Sequence, residues 1–128
     1  TSQTIQDGER VAVLKFTNES DGTGESSVKK VDVSALTTNS KGESCTSVSI
    51  ARIHWFCRGM GVDIEFDATT NVLAVTLAPD SSGDEYFDQF SGIPNNAGSG
   101  VTGDIDFTTI GHSSGDAYSI ILVLNKNY

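Results

Sequence analysis

The segment from Val48 to Leu77, VSIARIHWFCRGMGVDIEFDATTNVLAVTL, constrains the fold more than any other part of the chain. β-Branched and aromatic residues alternate with polar ones, and the alternation breaks at Gly59-Met60-Gly61 and at Asp67-Ala68-Thr69-Thr70-Asn71. A period of two belongs to a pleated strand, and glycine and asparagine mark turns, so this segment predicts three consecutive strands. In the middle one, Val62, Ile64 and Phe66 point one way and Asp63 and Glu65 the other. That pattern requires a sheet with one dry and one wet face.

The remainder of the chain extends the pattern. Arg10 to Thr17 alternates with Leu14 and Phe16 on the face expected to be buried. Ser27 to Leu36 predicts a strand with Val31 and Val33 facing inward, opposite Lys30 and Asp32, and lysines at a strand edge discourage unwanted pairing. Tyr86, Phe87 and Phe90 read as a short aromatic strand, and Asp104 to Ile110 as another. The final strand, Ala117 to Asn125, is apolar on both faces at its centre, which places it in the middle of a sheet or against a subunit. Residues 1 to 9 are polar and read as an arm with Ile5 as its one anchor. About eight short strands with no helical periodicity predict an all-β fold, an antiparallel β-sandwich over residues 10 to 128. Its connections are expected to be Greek keys, as in a jelly roll. A length of 128 residues suits one domain.

Seventeen acidic residues against eight basic ones give a net charge of -9. Such a surface repels phosphate backbones and anionic lipid, so neither nucleic acid nor membrane is expected as a partner. The longest apolar run, Ser119 to Leu124, is too short for a helical membrane span. The first ten residues lack a basic region followed by an apolar stretch, so no signal peptide is expected in the chain as it stands. Cys45 and Cys57 are separated by a segment read mostly as one strand, at ~3.3 Å per residue, too far apart for a disulfide. Two buried thiols are expected instead, which suits assembly in a reducing cytoplasm.

Three motifs tempt a chemical reading and each fails a physical test. Gly98-Ser99-Gly100-Val101-Thr102-Gly103 matches GxGxxG, but that fingerprint must open a helix and here a strand pattern follows. His112, Ser113 and Asp116 crowd into one turn, where they cannot easily converge on a common atom. Asp80, Asp84, Glu85 and Asp88 miss the oxygen spacing of a calcium loop. No catalytic residue, no metal site and no cofactor is expected.

Read together, VAVLKFTNESDGTGESSVKKVDVSAL, RIHWFCRGMGVDIEFDATTNVLAVTL and SGIPNNAGSGVTGDIDFTTIGHSSGDAYSIILVL resemble small virion structural proteins of tailed bacteriophages, many from aquatic hosts such as cyanobacteria. The likeness runs from about Arg10 onward, and its most specific part is the run from Ile93 to Asp104. It implies a virion location and carries no catalytic motif. The role that suits an acidic, cofactor-free β domain is a head decoration, or cement, protein. Such a protein grips the outside of the major capsid protein shell and is expected to be a dimer or trimer. Contact candidates are Ile5, Trp55, Met60, Phe87, Phe90, Ile93 and Pro94, with residues 1 to 9 as a clasp; Trp55 and Phe90 suit the core equally well. The alternative is a tail or fibre component with a receptor- or glycan-binding sandwich, using Trp55, Tyr86 and Asn95-Asn96.

Overall fold

A computed structural model describes all 128 residues. Nine strands follow in order: β1 (Ser2–Asp7), β2 (Val11–Glu19), β3 (Val28–Val31), β4 (Ser47–Arg58), β5 (Gly61–Phe66), β6 (Val72–Leu77), β7 (Ser82–Tyr86), β8 (Ile105–Ile110) and β9 (Ala117–Asn127). They form two sheets, of order β1-β2-β9-β4-β7 and β3-β8-β5-β6, and every pairing is antiparallel. Four of the pairings are nested about the β5–β6 turn: β5 with β6, β4 with β7, β3 with β8 and β2 with β9. The pairings of β9 with β4 and of β8 with β5 then roll this long hairpin onto itself. That connectivity is a jelly roll of eight strands, with β1 added outside β2.

The alternation read in the sequence sets the core. Ala12, Leu14 and Phe16 of β2, Val62, Ile64 and Phe66 of β5, and Ile120, Leu122 and Leu124 of β9 all point inward and are buried. They belong to one continuous cluster of 21 buried residues, as a single domain requires. Phe107 stands at its centre, meeting Phe16 edge-on at 5.2 Å and Tyr118 at 5.8 Å between ring centroids. Each such aromatic contributes roughly 1.5–3 kcal/mol by burial.

Four expectations need correction. Residues 2–7 are the edge strand β1, not a free arm: their polar side chains suit a strand wet on both faces, and backbone pairing to β2 holds them. The second predicted strand is shorter than Ser27 to Leu36. It stops at Val31, and Val33–Ala35 forms a 3₁₀ turn whose N–H at Ser34 is capped by Asp32 Oδ1 at 3.0 Å. Val33 is nevertheless buried, as expected. The aromatic strand lies earlier than Tyr86 to Phe90. Ser82–Tyr86 is the strand and Asp88–Phe90 a 3₁₀ turn, because pairing with β4 recruits a segment of low β-propensity. Gly83 is needed there, since a Cβ would come within 2.6 Å of the Trp55 ring. Met60, finally, occupies the β4–β5 turn yet is buried in the core, out of reach of any partner.

Candidate interaction surface

β4 carries a bulge between Ile50 and Arg52, and this irregularity builds the aromatic edge of the molecule. The bulge leaves the Ala51 carbonyl free to accept the Phe87 N–H at 2.7 Å as the chain leaves β7. After the 3₁₀ turn, Ser91 and Gly92 adopt positive φ (68° and 90°), which reverses the chain. Ile93 then exchanges two backbone hydrogen bonds with Ile50, at 2.9 and 3.0 Å. Phe87 packs inward on the core and Phe90 lies 6.1 Å from it, 57% exposed. Pro94 follows, also exposed, with Ile93 half-buried beneath.

The structure therefore brings Phe87, Phe90, Ile93 and Pro94 together on a rigid frame. It separates the others. Ile5 is 57% exposed, but on β1 at the opposite edge of the five-stranded sheet. Trp55 points inward from β4, half-buried over Gly83, and its indole N–H donates to Ser81 Oγ at 3.1 Å.

Sequence reasoning read the final strand as apolar on both faces and named Tyr86, but did not assemble the outer face of the five-stranded sheet. Register places Val13, Val123, Arg52 and Tyr86 in one row across β2, β9, β4 and β7, and Lys15, Ile121, His54 and Asp84 in the next. Val13, Ile121 and Val123 floor a shallow apolar concavity walled by Arg52 and His54. Arg52 makes two hydrogen bonds to Asp84, at 2.8 and 2.6 Å, and lies 4.4 Å above the Tyr86 ring. This cation–π stack keeps a half-exposed aromatic in one orientation. Phe56 is 55% exposed one row further on. The signal for this face was present in β9, whose Ile121 and Val123 have no covering layer in their own chain.

Along β8 and the loops beside it, acids are tied down by internal donors. Asp104, buried, accepts the Val33 N–H at 2.9 Å and pairs with Lys29 at 2.9 Å. Asp106, also buried, accepts an amide hydrogen from Asn71 at 3.1 Å. No group of three or more His, Cys, Asp or Glu side chains is arranged to hold a metal ion. Two of the three glycines of the GxGxxG match serve close packing: a Cβ on Gly100 would sit 2.0 Å from Thr69 Oγ1, and one on Gly103 2.1 Å from the Thr46 carbonyl oxygen. In the turn after β8, Asp116 Oδ2 accepts the Ser113 N–H at 2.9 Å, while His112 Nδ1 lies 3.4 Å from Thr109 Oγ1. His112 and Asp116 thus serve different partners. Asn95 is likewise engaged, donating to the Asp67 carbonyl and accepting from the Ala97 N–H.

No protein-family model matches this chain, and no curated protein matches it.

Proposed function

We propose that this protein is a structural protein of a tailed-bacteriophage virion, a head decoration protein that binds the outer surface of the major capsid protein shell and stabilises it. The observation that carries the reading is the exposed Phe90 and Pro94 on a frame fixed by the Ala51 bulge, with the half-exposed Tyr86 at the end of β7 just before it. Aromatic anchors on rigid elements are what interface hot spots are made of. The jelly roll supports the reading at the level of analogy, since capsid and lectin domains share that architecture. A net charge of -9 keeps such a protein off packaged DNA.

The test is made on purified particles. A copy number comparable with the major capsid protein supports a place on the shell, and particles lacking the protein lose DNA at a lower temperature than wild type. Equal heat resistance of the two kinds of particle refutes the stabilising role. Phe90→Ala with Tyr86→Ala is expected to weaken capsid binding at least tenfold without lowering the melting temperature of the free protein.

One observation favours a second reading, a tail component that binds glycan. Beside Phe56 lies a concavity of about 580 Å³ lined by Thr17, Asn18, Glu19, Arg58 and Ser119. An exposed ring next to planar polar side chains is the arrangement that sugars favour. A copy number far below that of the shell protein selects it.

A further inference from the structure

We propose that β6 is an assembly edge at which a second copy of this chain adds its own β6, antiparallel and about a two-fold axis. The four-stranded sheet ends at β6, which pairs with β5 alone. No backbone hydrogen bond from any other part of the chain reaches Val72–Leu77. A free edge presents a row of unpaired N–H and C=O groups, a template for another strand.

The molecule has four such edges: charge guards two, and the loop at Thr37 covers the end of a third. β1 ends in Asp7, whose carboxylate and carbonyl are bonded by Thr37. β3 carries Lys29 and Lys30, and β7 carries Asp84 and Glu85. β6 reads VLAVTL, with no charge, no proline and no glycine. Its one defence is a bulge at Ala74. Leu73 is 54% exposed on the outer face, and Val72, Ala74 and Val75 are only partly buried where they pack against the core. A strand laid alongside covers all four.

Charge identifies the occupant. A second copy brings the same charges to the same places: self-paired, β3 sets lysines against lysines and β7 acids against acids, whereas β6 brings no charge and sets apolar residues against apolar ones. A two-fold axis perpendicular to the strands makes the pair antiparallel, as is every pairing already in the molecule. Centred on the Ala74–Val75 peptide, it sets Val72 opposite Leu77, Leu73 opposite Thr76 and Ala74 opposite Val75 of the second copy. Each cross-strand pair is apolar or β-branched, the kind that stabilises a ladder. This inference stands apart from the virion reading, and a monomeric protein would leave that reading in place.

The test is the mass in solution by sedimentation. Wild type is expected as a dimer at micromolar concentration. Leu73→Lys with Thr76→Lys sets lysine opposite lysine and is expected to be monomeric with an unchanged circular dichroism spectrum, since both side chains face solvent. Leu73→Glu with Thr76→Glu is also expected to be monomeric, though less stable because Glu65 and Asp63 of β5 stand opposite, and an equimolar mixture of the two variants is expected to regain the dimer. As a check on wild type alone, hydrogen exchange at Val72–Leu77 should slow as protein concentration rises. A wild type that stays monomeric, a double-lysine variant that stays dimeric, a mixture that stays monomeric, or exchange in β6 that ignores concentration overturns the proposal.

Discussion

Lys126 Nζ lies 2.8 Å from Asp7 Oδ1, and the lysine side chain has no exposure to solvent. The ammonium also donates to the Gly8 carbonyl at 2.8 Å, the Thr37 carbonyl at 2.8 Å and Thr37 Oγ1 at 3.1 Å. One cation thus joins the last strand, the β1–β2 turn and the loop after β3, and Tyr128 caps the cluster by donating to the Glu9 carbonyl at 2.7 Å. The polar strand β1 depends on this knot, having no apolar face to bury. Lys126→Ala leaves Asp7 with its counter-charge gone, and breaking a buried pair this way costs about 3–5 kcal/mol. Urea unfolding of the variant checks it.

The same pair bounds stability in pH. Burial alone would raise the Asp7 carboxyl, but hydrogen bonds from Lys126 and Thr37 outweigh it and hold the group below the usual carboxylate range. A carboxyl lowered in the folded state stabilises fully above its unfolded pKa and loses that contribution as pH falls through the folded value. Burial would lower Lys126, yet the bond to Asp7 leads a set of contacts that raise it. Its contribution is full below the ordinary lysine range and disappears as pH rises through the raised value. Asp7→Asn should therefore be less stable than wild type at neutral pH and show a shallower acid limb in a pH series of melting curves.

How far the sequence reaches is clear from particular strands. β2, β5 and β9 were legible because an inward row of large apolar residues recurs at every second position, which only a half-buried strand explains. β7 was not: SGDEY owes its extension to the β4 edge beside it, a partner 26 or more residues away in sequence. In β4, Trp55 and Phe56 are adjacent aromatics, and alternation alone does not say which turns inward. Register with β9 decides it, setting Trp55 opposite the buried Ile120 and Phe56 opposite Ser119. The candidate surface suffered in the same way, for an interface residue on an outer face has the same composition as a core residue on an inner one. Met60 shows the converse, a turn residue between glycines that the fold draws inside.

Asp106 behaves opposite to Asp7. Burial raises its carboxyl, and the nearby Asp67 and Glu65 push the same way against the amide given by Asn71. A carboxyl raised in the folded state costs stability as pH climbs from the ordinary carboxylate range through the raised value. Asp106→Asn keeps an oxygen for Asn71 and has no charge to bury. It should match wild type in acid and exceed it at neutral pH, with the gap opening across that interval in urea titrations.

Both thiols are free and buried, Cys45 3% and Cys57 1% exposed. Burial pushes the Cys57 thiol up, away from the reactive thiolate. Neither should react with a thiol reagent in the native protein, and both should react in denaturant without reductant. One equivalent or none on unfolding would mean a bond that the fold does not contain.

Gly103 lies near the end of the β7–β8 loop with φ at +88°. An added Cβ would sit 2.1 Å from the Thr46 carbonyl oxygen and 3.1 Å from a methyl of Val33, so two obstacles coincide. The left-handed conformation disfavours any other residue, and the carbonyl is backbone, which cannot turn aside as a flexible side chain would. Strain of this kind costs on the order of 1–3 kcal/mol for the dihedral alone. Gly98 offers the control, since a Cβ there meets nothing within 4 Å and its φ is not positive. Gly103→Ala should lower the urea midpoint markedly while Gly98→Ala leaves it unchanged. Equal midpoints would mean that the loop shifts freely from Thr46, and the bonds of Asp104 to Val33 and Lys29 would then hold this end of the sandwich.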